Sequence, residues 1–193
     1  MRKLGFLMVA SFVLALSALG AGVRGAGATD FTCDGKTPTI VGAGTIQGTS
    51  GNDVIIGSAG NDVIYGSSGN DSICGEGGND VIYAGSGNDR IWGEVKGGDT
   101  LIGVAGNDQL YGESVNDLLV DPTGVGQTLD GGTGTDTIVG TGTLVGDSGG
   151  DTITARVAGT GDPFSTLDAG TGTDTCAISS VNDVTISCET ITG

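Results

Sequence analysis

The chain has 193 residues, of which 40 are Gly, 23 are Asp or Glu, 7 are Lys or Arg and none is His, and only 4% are aromatic. Without His the chain cannot use an imidazole as a catalytic base or zinc ligand, which excludes serine-protease triads and zinc-protease motifs. The net charge of −16 disfavours binding to nucleic acid or to anionic lipid and favours binding to cations.

Residues 1–28 have the composition of a secretory signal peptide. Arg2 and Lys3 precede an apolar run over residues 4–19, and small residues follow up to Ala28. This order predicts cleavage after Ala28 and a secreted or extracellular protein, association with the cell surface included. The alternative is an uncleaved membrane anchor, because the apolar run approaches the ~20 residues that span a bilayer. We expect cleavage, and hence no stable membrane insertion of the mature chain.

Residues 29–48 are expected to form an N-terminal cap. The half-unit Gly42-Ala43-Gly44-Thr45-Ile46 resembles the repeats that follow it but lacks their Asp. A unit without the Asp suits the first position of a stack.

A nine-residue period runs through residues 49–122. A turn, in most units Gly-Asn-Asp, is followed by a short extended stretch. The spacing is interrupted once by an insertion at Lys96, Val115 stands where a turn Gly is expected, and Asp121-Pro122 ends the regular array. The eight repeated acidic residues are Asp53, Asp62, Asp71, Asp80, Asp89, Asp99, Asp108 and Asp117. The aliphatic residues two positions later are Ile55, Ile64, Ile73, Ile82, Ile91, Leu101, Leu110 and Leu119.

The two halves of each unit favour a stacked β structure. Gly and, less readily, Asn and Asp tolerate the backbone of a tight turn. In the extended stretch the central aliphatic side chain faces one way and its neighbours face the other. Because one short strand cannot bury its apolar face, the units must stack, with nine residues forming half a coil and eighteen a full one.

The segment from Gly131 to Val139 fits the formula GGxGxDxUx, in which U is a large aliphatic residue, at every fixed position. With the units described above, the chain resembles the RTX, or hemolysin-type, calcium-binding nonapeptide family, and in particular small exported members of it. The resemblance is strongest over about residues 49–113. It implies an all-β, right-handed parallel β-roll with calcium ions in the turns between successive coils.

The residues themselves point to the same cation. Loops eighteen residues apart lie one strand spacing, ~4.8 Å, apart on one edge of such a stack. Two carboxylates at ~5 Å repel by about 3 kcal/mol at an effective dielectric of ~20. The stack therefore brings the eight Asp into two rows that need a cation between neighbours. The first row is Asp53, Asp71, Asp89 and Asp108, and the second is Asp62, Asp80, Asp99 and Asp117.

Calcium suits these rows best because it binds six to eight oxygens from carboxylates and backbone carbonyls. Zinc, copper and iron favour N or S ligands, and magnesium demands rigid octahedral geometry. We expect up to six ions in this block, with Kd values of about 10⁻⁴–10⁻³ M. The alternative is a metal-free solenoid whose Asp side chains only cap turns. The expected carbonyl ligands are those of Gly51, Asn52, Gly60, Asn61, Gly69, Asn70, Gly78, Asn79, Gly87 and Asn88.

Residues 123–193 read as a degenerate repeat block with a C-terminal cap. The segment 128–137 recurs in modified form as 166–175, and 149–153 forms a partial unit between them. We expect the β-roll to continue with longer turns and one or two more ions. Asp136, Asp151 and Asp174 are the candidate ligands, and Asp183 is a weaker one.

Four Cys in an exported chain indicate two disulfides, for which three connectivities exist. We favour Cys33–Cys74 and Cys176–Cys188, because each bond would fasten a terminal segment to the neighbouring repeat. Unpaired buried thiols are the alternative.

These features favour a secreted, non-enzymatic calcium-binding protein whose repeats fold when they meet extracellular Ca²⁺. One alternative is a calcium-dependent cell-surface adhesion or ice-binding module, weakly suggested by the Thr pairs 133/135 and 171/173. Another is a carboxylate-pair enzyme, for which no catalytic domain is expected outside the repeats. The sequence names no protein or glycan partner.

Overall fold

The computed structural model describes residues 32–156, 165–178, 184–186 and 188–192, all within the unit Phe31–Gly193. The predicted signal peptide and Asp183 lie outside these residues. All regular structure in the described part of the chain is β-strand, and a search of it for a helix able to cross a membrane finds none.

Most of the strands, numbered in chain order, alternate between two nine-stranded sheets in which every pairing is parallel. The first sheet contains β1 Ile40–Val41, β3 Val54–Ser58, β5 Ser72–Glu76, β7 Arg90–Trp92, β9 Gln109–Tyr111, β11 Thr128–Asp130, β14 Thr143–Val145, β17 Thr166–Asp168 and β20 Val184–Ile186. The second contains β2 Thr45–Gln47, β4 Val63–Ser68, β6 Val81–Ser86, β8 Thr100–Ala105, β10 Leu118–Asp121, β13 Thr137–Gly140, β16 Thr152–Ala155, β19 Thr175–Ile178 and β21 Thr190–Thr192. Two successive strands and their turns form one coil, which confirms the predicted parallel β-roll.

The core is a column of aliphatic side chains between the two sheets. The strand register places Ile55 beside Ile73, and Ile73 beside Ile91. All eight aliphatic residues predicted from the repeat are fully buried. The column continues beyond the regular repeats with Leu129, Ile138, Leu144, Ile153 and Leu167, which are also 0% exposed.

The end of the regular sequence period is not an end of the sheets. Strand β10 pairs with β13, and β9 pairs with β11, so both sheets run past Pro122. In this half of the roll the turns contain a third, three-stranded sheet. It consists of β12 Thr133–Gly134, β15 Ser148–Gly149 and β18 Thr171–Gly172.

Both favoured disulfides are present. Cys33 is joined to Cys74 with a Cα–Cα distance of 5.8 Å, and Cys176 to Cys188 with one of 6.3 Å. Cys33, Cys74 and Ile56 form a small second core on the outside of the first sheet. The N-terminal segment thus covers outward-facing residues of β3 and β5.

Candidate metal centre

The first predicted row of Asp residues is present on one edge of the roll. The backbone N–H of Asp53 donates to Oδ1 of Asp71 at 2.8 Å, and that of Asp71 donates to Oδ1 of Asp89 at 2.8 Å. Asp89 donates in the same way to Asp108 at 2.9 Å. Each Asp directly precedes a strand, so the parallel pairing of the strands stacks the carboxylates.

The second row lies on the other edge and is longer than the regular repeats. In this row the backbone N–H of each Asp donates to Oδ1 of the next Asp at 2.7–2.9 Å. The residues in order are Asp62, Asp80, Asp99, Asp117, Asp136, Asp151 and Asp174. The three Asp predicted in the degenerate block therefore extend this row. Gly44 donates its N–H to Asp62 at the start, and Glu189 accepts from Asp174 at 2.7 Å at the end.

Several of the turns that hold the rows are packed so closely that only Gly fits without strain. Gly87 has a φ of 143°, and a Cβ added to it would lie 1.7 Å from the carbonyl oxygen of Gly69. A Cβ on Gly97 would lie equally close to the carbonyl oxygen of Gly78. The carbonyl groups of Gly69 and Gly78, two of the predicted ligands, thus lie against the next turn on the same edge.

The Asn that precedes the Asp in most units has a structural role that was not predicted from the repeat. The side-chain oxygen of Asn52 accepts the N–H of Asn70 at 2.8 Å, and that of Asn70 accepts the N–H of Asn88 at 2.8 Å. Asn61 accepts from Asn79 at 2.9 Å on the other edge. These side chains form an outer row that fixes the spacing of the turns. The recurrence of Asn at every ninth position was the available signal.

The carboxylates are buried and only partly satisfied. Every Asp of the two rows is at most 6% exposed. The second carboxylate oxygen, Oδ2, has no hydrogen-bond partner among the described residues in Asp71, Asp80, Asp89, Asp99, Asp108, Asp117, Asp136, Asp151 and Asp174. At the start of the rows Oδ2 is satisfied, by the N–H and hydroxyl of Thr49 for Asp53 and by the N–H of Ser58 for Asp62. An unpaired buried carboxylate oxygen is costly to the fold.

The electrostatics of the rows disfavour bare negative charge. Burial is the main cause of the raised pKa values; the hydrogen bond from the preceding Asp opposes it, and repulsion from neighbouring Asp adds to it. The pKa rises to about 6 for Asp71, Asp80, Asp89 and Asp136, and to about 7 for Asp99 and Asp117. The pKa of Asp108 and of Asp151 is raised as well, with burial as the first cause.

The donor set fits Ca²⁺. The ion pairs in the described part of the chain both involve Asp34, with Lys36 and with Arg90, and Asp34 belongs to neither row. No cluster of three metal-binding side chains occurs among the described residues, so carbonyl oxygens would complete the coordination of each ion. Carbonyl oxygens also lie near the unpaired Oδ2 atoms: a Cβ on Gly93 would lie 2.5 Å from Oδ2 of Asp99 and 3.1 Å from the carbonyl oxygen of Gly112. Carboxylate and carbonyl oxygens are hard ligands of the kind Ca²⁺ takes.

The two irregular turns keep the row geometry. Lys96 is exposed, and the Asp80–Asp99 hydrogen bond across its turn is 2.8 Å. Val115 adopts a φ of 82°, and the Asp99–Asp117 hydrogen bond across its turn is 2.7 Å. Neither departure from the repeat therefore interrupts the second row.

One buried carboxylate was not predicted. Asp121 is 0% exposed, and its Oδ2 has no partner in the described structure. The signal was its position two residues after a core aliphatic, where the earlier repeats have Gly or Ala.

Comparison with known families agrees with this geometry. A family model described as the RTX calcium-binding nonapeptide repeat, in four copies, matches residues 41–73, 68–95 and 96–119. A search of curated proteins finds no match.

Proposed function

Because residues 41–119 are RTX calcium-binding nonapeptide repeats folded as a parallel β-roll, we propose that this chain is a secreted, non-enzymatic protein whose roll folds on binding extracellular Ca²⁺. The observation that carries the proposal is the pair of buried Asp rows whose Oδ2 atoms lack a protein partner. Bound Ca²⁺ would supply these oxygens with a counter-charge and tie neighbouring turns together.

The coupling of binding to folding follows from where the ligands lie. The Asp of one site come from turns about eighteen residues apart, so the unfolded chain has no preformed site. Ions that bind only the folded chain stabilise it by mass action. Six sites with the Kd expected of extracellular modules would add about 2 to 9 kcal/mol in 1 mM Ca²⁺.

A structural role accounts for the acidic residues without catalysis. Every buried Asp in the described residues belongs to one of the two rows except Asp121. The stacking that explains them is periodic, whereas a catalytic carboxylate pair needs two groups in different environments facing a substrate. The signal-like residues 1–28 support secretion, and mass spectrometry of the secreted chain should find Thr29 at its N-terminus.

The test is a calcium titration of the purified secreted chain, with far-UV circular dichroism as the readout at each calcium concentration. We expect little strand signal in calcium-free buffer and a cooperative gain with Ca²⁺, and no such gain with Mg²⁺ at equal ionic strength.

Asp80→Asn, which keeps the hydrogen bond from Asp62 but removes the charge, should raise the calcium midpoint several-fold. The control Asp168→Asn, outside both rows, should not. A spectrum that is identical in Ca²⁺ and in chelator would refute the coupling.

A further inference from the structure

The turn over residues 121–127 carries its acidic residue in an unusual place. The pairing of Val120 with Ile102 places Asp121 at the position of Gly103 in the preceding coil. The pairing of Thr128 with Gln109 places Gln127 at the position of Asp108. In this turn the carboxylate has therefore moved from the last position, now Gln127, to the first.

The carboxylate of Asp121 lies next to that of Asp108, the last Asp of the first row. Asp108 and Asp121 are both 0% exposed. A Cβ placed on Gly103 would lie 2.7 Å from Oδ2 of Asp108 and 2.7 Å from Oδ2 of Asp121, so the two oxygens converge on the same space. Neither oxygen has a hydrogen-bond partner among the described residues.

The other polar atoms around this pair are already in use. Oδ1 of Asp108 accepts the N–H of Asp89 at 2.9 Å, and Oδ1 of Asp121 accepts the N–H of Thr123 at 3.3 Å. The amide of Gln127 donates to the carbonyl of Thr123 and accepts from Thr141 at 2.6 Å. The two Oδ2 atoms are thus buried side by side, and each has the other carboxyl group as its neighbour.

We propose that Asp108 and Asp121 together bind one Ca²⁺ between the turns 103–108 and 121–127, with Asp121 supplying the carboxylate that Gln127 lacks. The regular pattern would end the first row of sites at the Asp89–Asp108 pair. The relocated charge adds one site beyond it. This inference rests on the proposed calcium-binding function and concerns the number of ions.

The test is isothermal titration calorimetry of the secreted chain with CaCl₂. Asp121→Asn keeps the size of the side chain and removes its charge, and Asp121→Gly restores the regular glycine; each should bind one ion fewer than the wild type. The double variant D121G/Q127D rebuilds the regular motif and should bind the wild-type number. Asp168→Asn, a charge-matched control, should leave the number unchanged. Circular dichroism at saturating Ca²⁺ confirms that each variant folds.

The double variant keeps the proposal testable even if both single variants fail to fold. If Asp121 binds no ion in the wild type, D121G/Q127D will bind one ion more than the wild type, and the proposal is wrong. Unchanged stoichiometry in Asp121→Asn and Asp121→Gly would overturn it equally. If the wild type binds several ions and the two single variants bind the same number, only this site is rejected. If the wild type binds no ion, the proposed function is rejected as well.

Discussion

Each Asp of the two rows uses its two carboxylate oxygens differently. Beyond the first Asp of each row, Oδ1 accepts the backbone N–H of the preceding Asp, which orients the side chain. Oδ2 is buried, and beyond the first Asp of each row it has no protein partner among the described residues. The charge of the carboxylate is therefore a liability to the metal-free fold and a ligand once Ca²⁺ is present.

The raised pKa values predict the pH dependence of the metal-free roll. A group whose folded pKa lies above its unfolded value of 3.8 adds stability that is fully present below about pH 4. That stability is lost as the pH rises through the folded values, about 6 for Asp71 and about 7 for Asp99. Without calcium, the roll should be more stable at pH 5 than at pH 8. The strand signal in far-UV circular dichroism, compared in calcium-depleted buffers at these two pH values, measures how much of the chain is folded.

Saturating Ca²⁺ should reverse this trend, because protons compete with the ion for the same oxygens. A metal-free stability that increased from pH 5 to pH 8 would show that the row carboxylates are not strained by their burial.

At the scale of strands and turns, the repeat determines most of the architecture. Nine-residue spacing predicts the strands, the buried aliphatic column and both Asp rows. Two features lie beyond it: the Asn side-chain row and the third sheet. Both consist of hydrogen bonds between turns; the period shows where Asn recurs, but not which backbone groups its side chain joins. Asp121 was missed because the proline after it suggested an end to the array, although β10 and the following turn keep their register.

The turn of Val115 predicts a stabilising substitution. A β-branched residue with a φ of 82° is strained, by about 1–3 kcal/mol. Val115→Gly removes that strain at an entropic cost of roughly 0.5–1 kcal/mol, and should stabilise the calcium-bound roll by about 1 kcal/mol. Denaturant unfolding in excess Ca²⁺ measures the change.

The matched control is Val95→Gly. Val95 is also exposed in a turn of the second row but does not have a positive φ. Its replacement should destabilise the roll slightly. Equal effects of the two substitutions would argue against strain at Val115.

On the scale of the whole roll, the regular and degenerate halves are one continuous structure. The second Asp row crosses from Asp117 to Asp136 through a hydrogen bond of 2.8 Å, and both sheets cross with it. The coils of the two halves therefore share neighbour interactions, and calcium binding in one half should stabilise the other.

This continuity predicts that a local and a global spectroscopic probe will report the same calcium midpoint of folding. Trp92, the single Trp of the chain, stacks on Tyr111 at 5.6 Å in the regular half and reports on that half by its fluorescence. Far-UV circular dichroism reports on all strands. In a calcium titration the two midpoints should coincide. A fluorescence midpoint at clearly lower calcium would show that the halves fold separately.

The spacing of the second row has a consequence for how such a chain can change in evolution. Successive Asp of this row are 18, 19, 15 or 23 residues apart, yet the bonds that join them stay between 2.7 and 2.9 Å. At Lys96 the extra residue lies in the turn, and the bond between Asp80 and Asp99 keeps its length of 2.8 Å. Duplication or deletion of the gene segment for one coil would thus change the length of the protein and its number of calcium sites. The hydrogen bonds between neighbouring coils would stay the same.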